Sequence, residues 1–365
     1  MLVYLTFNDS PSGIYKSQII DRLAFLRSQG KNIQLIAFCP NHNYKKHKEQ
    51  ILNWDSNAKV LKQLPGLRFW YINLFKLIPL ALKLRPNKII GRSIYAANLS
   101  LILRKFKMTK EVVYDGRGAV TAECDEFNMV PKNWLPQIQS LERNAILNSD
   151  SQLAVSYALV QHWKDEFHYK NKNIKITPCA LSKDFENVNV DSNSIQNARK
   201  KIGFGELDIV LCYSGSLAGW QFKVGLENEL AIWLKQSENN KILFLCKQNK
   251  RLESLIDKFP SQVKQFFVSP EKVSNFLIAA DYGLLIRDKN VTNKVASPVK
   301  FAEYLACGLK VIISENIGDY SNLVKKLDLG FIFSNSQLSK LKRIGLDEKG
   351  LIRSKSLKLF SLEII

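Results

Sequence analysis

The hydrophobic positions of this chain gather first into short continuous runs. In the first half these are Leu2 to Phe7, Ile33 to Phe38, Ile89-Ile90, Glu111 to Tyr114, Gln152 to Val155 and Ile174 to Thr177. In the second half they are Asp208 to Tyr213, Ile242 to Cys246, Gln265 to Val268, Tyr282 to Ile286 and Val311 to Ile313. Runs of this length, bounded by polar residues, predict strands buried on both faces. Between them the period changes. Ile14 to Gln29 places Ile19, Ile20, Leu23, Phe25 and Leu26 at mostly helical spacing and closes at Gly30, and Ile94 to Lys105 predicts another helix. Strand, loop, helix, glycine, strand at the N-terminus is the opening of a mononucleotide-binding fold, and the repeated alternation predicts parallel α/β sheets.

One stretch carries more than pattern. Ser297 to Ile313, SPVKFAEYLACGLKVII, predicts a short helix with Ser297 as N-cap, Pro298 in the first turn and Gly308 as the stop, set between the strands at Tyr282 and Val311. In parallel sheets ligands collect beyond the carboxyl ends of strands, where helix N-termini turn unpaired N–H groups toward anions. Arg287, Lys300 and Glu303 all belong to that edge. Glu303 is the only acidic residue of its helix, and the residues alone allow either an i,i+3 ion pair with Lys300 or a ligand-binding carboxylate.

The run Ser-Pro-x-Lys-x-x-Glu-Tyr-Leu-Ala-x-Gly, at 297–308, resembles the donor-site helix of the GT-B glycosyltransferases, family-four-like (glycosyl transferases group 1), of the bacterial surface polysaccharide type. The resemblance implies two Rossmann-like, doubly wound parallel-sheet domains facing across a cleft, with a nucleoside diphosphate sugar bound by the second. Glu303 would hold the ribose hydroxyls. Ser214-Gly215-Ser216-Leu217 stands where the family has a Gly-Arg-Leu turn, with Ser216 in place of the arginine and Gln221 in place of a lysine. Backbone N–H groups at Gly215 and Ser216 could still cradle phosphate, with charge drawn from Lys223, Arg287 and Lys300 beside Ser297 and Pro298. Val295 replaces a glutamate that many relatives carry near the transferred sugar.

Gly91-Arg92-Ser93 and Asp115-Gly116-Arg117-Gly118 resemble strand ends of the family's N-terminal half. By that resemblance Asp115 and Arg117 are the catalytic candidates, and Gly13, Arg92 and Glu123 belong to the acceptor side; a turn closed by a local Asp115–Arg117 ion pair is the alternative. Glu123, Asp125 and Glu126 are expected in a mobile loop. Pro178 and Phe185 keep the family's hinge pattern, although Ala180-Leu181 replaces Gly-Val. The expected domains are therefore 1–187 and 188–349, the second entered through the polar stretch Val188 to Arg199 as linker and entry helix, with 350–365 as a final helix crossing back to the first domain.

Bulk properties narrow the setting. A length of 365 residues suits about two domains, and 46% hydrophobic with 24% charged residues is the balance of a folded globular chain. The six cysteines form no Cys-x-x-Cys pair and lie mostly in strand-like text, so buried free thiols in a reducing compartment are expected. The four histidines have no zinc-like spacing, and there is no Asp-x-Asp, so neither a metal nor a cofactor beyond the nucleotide sugar as co-substrate is expected. MLVYLTFND reads as a first strand, without the basic and apolar segments of a secretion signal, which predicts a cytoplasmic protein.

The net charge of +20 calls for an anionic partner. Leu67 to Leu84 interleaves apolar and aromatic residues with Arg68, Lys76 and Lys83: either a helix packed on the sheet, or a basic amphipathic helix on the inner face of an anionic membrane. The absence of a stacking-aromatic and glycine motif argues against nucleic acid. The expected function is transfer of a sugar to a glycan or lipid-linked acceptor in cell-surface polysaccharide synthesis, retaining and without metal. A nucleotide-sugar epimerase on the same fold, and a non-enzymatic binder of an anionic polymer, are the alternatives.

Overall fold

The computed structural model describes residues 1–362 apart from Pro65 and Ala218. The chain forms two compact units, Met1–Pro178 and Cys179–Ile365. In the first, seven parallel strands run β3-β2-β1-β4-β5-β6-β7: β1 Leu2–Phe7, β2 Ile33–Cys39, β3 Lys59–Lys62, β4 Lys88–Arg92, β5 Glu111–Gly116, β6 Ser151–Ala154 and β7 Ile174–Ile176. In the second, six parallel strands run β10-β9-β8-β11-β12-β13: β8 Ile209–Ser214, β9 Asn240–Leu245, β10 Val263–Phe266, β11 Tyr282–Leu285, β12 Lys310–Ile313 and β13 Gly330–Ile332. Each sheet reverses its direction of winding once, between β1 and β4 and between β8 and β11, and ligands of doubly wound sheets bind at such switch points.

β1 illustrates why the strands are continuously apolar. Val3, Leu5 and Phe7 enter one core with Leu77, Ala81, Leu99 and Leu103, while Tyr4 enters another with Ile19, Ile20 and Leu23. Helices cover both faces, so both sets of side chains must be compatible with an interior. The strands missed by sequence pattern are edge strands. β3 is Lys-Val-Leu-Lys with only Val60 buried, and β13 is three residues long and half-buried. Short edges carrying charge blunt unwanted pairing, and the same property removes their hydrophobic signature.

Several local expectations are corrected. The helix expected at Ile14 to Gln29 opens at Gly13–Tyr15, widens into a π-helical turn at Lys16–Ile20 and resumes at Asp21–Ser28. Leu67 to Leu84 is a 3₁₀ segment, Leu67–Asn73, followed by the helix Leu74–Leu84 with Pro79 inside it. The loop expected around Glu123 is the helix Val120–Glu126. The first unit ends at Pro178, and the stretch expected as linker and entry helix supplies the helix Ser192–Ile202, N-capped by Asp191. The terminal helix spans Leu346–Phe360 and packs within the second unit: Ser356 Oγ donates to Ala302 O at 3.0 Å, and Arg353 donates to Ala306 O at 2.7 Å. Its expected course past 362 lies outside the described residues. All six cysteines are free thiols, five of them buried, with Cys179 half-buried.

Candidate functional site

In the second unit the site grows from the contact between β11 and the helix Val299–Ala306. A Cβ at Gly283 would stand 2.3 Å from the Tyr304 ring, so this glycine is what lets the helix settle on the sheet. The buried Tyr304 hydroxyl then accepts a hydrogen bond from the Ser214 N–H at 2.9 Å, tying the helix to the end of β8. The helix is not capped as expected. Pro298 occupies the N-cap position without a side-chain bond, and the Ser297 hydroxyl instead accepts from Cys179 N–H at 3.1 Å and bonds Tyr320 Oη at 2.7 Å. Ser297 is thereby committed to holding the start of the helix in place.

The turn after β8 carries the chemistry. The Tyr213 hydroxyl donates to Ser216 O and, at 3.3 Å, to Gln221 O, which fixes the turn's backbone from below. Gly215 has φ +123°, and a Cβ there would lie 2.1 Å from Lys300 Nζ. The lysine therefore fills the space that a side chain at 215 would take. Lys300 Nζ donates to Gln221 Oε1 at 2.9 Å and stands 5.1 Å from the Tyr213 ring centroid. Burial, then repulsion from Arg287, pulls its pKa down to about 7. Arg287, 7% exposed, follows β11; its backbone exchanges two 2.8 Å hydrogen bonds with Ser314 Oγ, and Nη1 donates to Asn293 Oδ1 at 3.2 Å. Arg287 Nε is buried without a hydrogen-bond partner among the described residues. Burial lowers the pKa of this guanidinium to about 10.

The Glu303 carboxylate, one helical turn beyond Lys300, accepts no hydrogen bond among the described residues, and burial raises the carboxyl to about 7 against the pull of Lys300. Among the described residues no salt bridge joins the two, and Lys300 acts on the carboxyl only through its charge. Lys223 is otherwise engaged, with Nζ 2.7 Å from Glu229 Oε1. Thus Gly215, Lys300, Arg287 and Glu303 converge at the β8/β11 switch point, whereas Ser297 and Lys223 serve local structure. Among the described residues no cluster of three or more His, Cys, Asp or Glu could hold a metal ion.

No protein-family model matches this chain, and neither does any curated protein sequence. Solved structures do. The Anabaena protein HepE, crystallised with UDP, superposes with a TM-score of 0.74 at 14% identity over 99% of this chain and 96% of its own. A glycosyltransferase from Rickettsia africae gives 0.73 at 14% identity over 100% and 95%. A putative UDP-N-acetylglucosamine 2-epimerase from Listeria monocytogenes gives 0.52 at 10% identity over 98% and 87%. The fold is GT-B.

In the first GT-B unit the other group of expected residues also meets at a switch point. Asp115, fully buried at the end of β5, accepts from the Tyr4 hydroxyl of β1, and lies 3.7 Å from Arg92 Nη1 and 3.4 Å from Arg117 Nη1. Burial alone would raise the Asp115 carboxyl. The charges of Arg117, Arg92 and Arg22 and the Tyr4 hydrogen bond outweigh it and hold the carboxyl below the usual range. Arg117 also donates to Thr177 O at 3.3 Å.

Asp9, which sequence reasoning passed over because the loop was searched only for glycine, lies 3.6 Å from Arg92 Nε, with its pKa raised by burial. Its signal was an acidic residue directly after β1. Gly13 starts the helix capped by Ser12. Glu123 lies on the helix Val120–Glu126, its carboxyl raised by burial and by Glu142 and Glu126. No ion pair joins it to Arg117 among the described residues.

Proposed function

We propose that this chain is a glycosyltransferase that moves a sugar from a nucleoside diphosphate sugar to a glycan or lipid-linked acceptor. The observation that carries this is the convergence of two cationic side chains and one carboxylate on a glycine turn at the β8/β11 switch point. A diphosphate needs positive charge and N–H donors, and a ribose needs an acceptor for two hydroxyls. Arg287, with an unused buried Nε, and Lys300 supply the first, since the Gly215 N–H is taken by Leu245 O at 2.9 Å; Glu303 supplies the second. The likeness to HepE, crystallised with UDP, makes uracil the first base to try.

The cations placed on the leaving diphosphate stabilise the charge that develops as the glycosidic bond breaks, so we propose transfer without a divalent metal; retention of configuration is proposed on the resemblance of the run at 297–308 alone. In the first unit Asp115 is buried and acts through Arg92 and Arg117, which it orients; the guanidiniums, with Gly13 and Glu123, make up the acceptor side. Lys223, held by Glu229, contributes less, and Ser297 and Pro298 contribute by placing the donor helix.

We also place the protein in cell-surface polysaccharide synthesis, docked on the inner face of an anionic membrane. Support comes from the segment 67–84, where Leu77 and Ala81 enter the core while Phe69, Tyr71, Phe75 and Leu82 are 49%, 47%, 79% and 59% exposed beside Arg68 and Lys83. No helix among the described residues is long and apolar enough to cross a membrane.

Thermal unfolding with a panel of nucleoside diphosphate sugars tests the central assignment, because a ligand of the folded state raises its stability as RT ln(1 + [L]/Kd). Stabilisation by at least one member is expected, and indifference to all of them refutes it. Supplying the stabilising sugar nucleotide without acceptor addresses the epimerase alternative: an epimerised product identifies that enzyme, and an unchanged sugar favours the transferase. Activity is expected to survive EDTA; loss restored by Mg²⁺ would place the neutralising charge on a cation.

A further inference from the structure

Lys300 reaches the turn at 214–217 from another element, and what holds it there is a neutral group. Its Nζ donates to Gln221 Oε1 at 2.9 Å, lies over the Tyr213 ring, and occupies the volume left by the missing side chain of Gly215. No carboxylate bonds it among the described residues. The charged or titratable groups facing it are Arg287 after β11, Cys246 after β9, Tyr213 at the end of β8 and Glu303 on its own helix. Glu303, Cys246 and the face of the Tyr213 ring favour its charged form, and burial and Arg287 oppose it.

Resting on the donor-site assignment above, we propose that Gln221 is a positioning residue that holds the Lys300 side chain inside the turn for a donor's diphosphate, and that Lys300 gains a proton as the diphosphate binds. The amide fixes the direction of the amine without fixing its charge. An arriving diphosphate supplies the missing counter-charge, and the proton moves from solvent to Nζ. With its pKa near 7 before binding, Lys300 is largely neutral at pH 8, where the nucleotide is already fully ionised, so the uptake is visible there.

The test is isothermal titration at pH 8 with UDP, GDP, CDP and ADP, run in two buffers of different ionisation enthalpy. The parent protein is expected to take up a fraction approaching about one proton per nucleotide bound. Lys300→Arg, charged throughout, is expected to bind with uptake abolished. Gln221→Glu pairs the lysine with a carboxylate before ligand arrives, so uptake is likewise lost. Gln221→Leu is expected to lower diphosphate affinity about tenfold while leaving affinity for the nucleoside unchanged.

Parent-like diphosphate binding by Gln221→Leu overturns the positioning role; should that variant fail to fold, the other two carry the test. Uptake that survives Lys300→Arg but vanishes in Glu303→Gln assigns the proton to the carboxylate and overturns the inference, as does binding without any uptake in the parent. Failure of all four nucleotides to bind the parent refutes the donor site itself, a separate result.

Discussion

Gly215→Ala isolates the donor turn from the rest of the fold. Two costs follow from the structure. The residue sits at φ +123°, a region that a side chain tolerates at about 1–3 kcal/mol. The new Cβ would also lie 2.1 Å from Lys300 Nζ and 2.4 Å from its Cε, and 3.6 Å from Gln221 Oε1. Both close atoms are the far end of a flexible side chain, so the lysine moves and the backbone does not. The expected loss of stability is therefore the backbone strain alone, read as a modest fall in denaturation midpoint with unchanged slope.

Binding loses more, because the displaced ammonium can no longer hydrogen-bond a phosphate. A charge-assisted bond contributes about 1.5–3 kcal/mol, or roughly 10- to 150-fold in affinity for a nucleoside diphosphate. The nucleoside, which lacks the phosphates, should bind as to the parent. Gly345→Ala is the control, since a Cβ there meets nothing within 4 Å. Diphosphate binding by Gly215→Ala equal to that of the parent, measured by titration on folded protein, would mean that Lys300 has no part in the site.

Glu303, shifted from 4.5 to about 7 in the folded state, binds its proton more tightly there than in the unfolded chain; its contribution is complete below about 4.5 and lost as pH rises to about 7. Glu303→Gln should flatten that part of the stability profile, raising the midpoint at pH 8 and weakening nucleoside binding; a parallel profile would contradict the shift. Asp115→Asn removes the fully buried carboxylate that Arg92 and Arg117 share, with Asp9 still beside Arg92, and should cost up to about 3–5 kcal/mol in chemical denaturation, against a change below 1 kcal/mol if the cluster is well hydrated. Replacing Phe75 and Tyr71 by Ser should abolish flotation with anionic vesicles and leave the denaturation midpoint unchanged, since both side chains are already exposed. Flotation that persists would place the lipid contact elsewhere.

The sequence by itself determined the architecture and one end of the site. Strands buried on both faces must be apolar throughout, so β1, β2, β5, β8, β9, β11 and β12 announce themselves, and the alternation with helices leaves few topologies other than two doubly wound sheets. The helix bearing Lys300 and Glu303 was legible because its start and stop residues and its single carboxylate lie within one short stretch. Edge strands β3 and β13 were not, since a strand with one open side has no need of a hydrophobic run.

What only tertiary structure decided are the pairings across many residues. Ser297 has the composition of a cap, yet its hydroxyl is claimed by Cys179 and Tyr320, groups distant in the chain. Lys223 stands near the turn in sequence but is drawn off by Glu229, while Lys300 arrives from another strand crossing to fill the space left by Gly215. Asp9, Arg92 and Asp115 become one charged cluster only because β1, β4 and β5 lie side by side. Periodicity and turn chemistry are local and can be read from neighbouring residues; which cation reaches which carboxylate depends on strand order and helix packing, and these exist only in the folded chain.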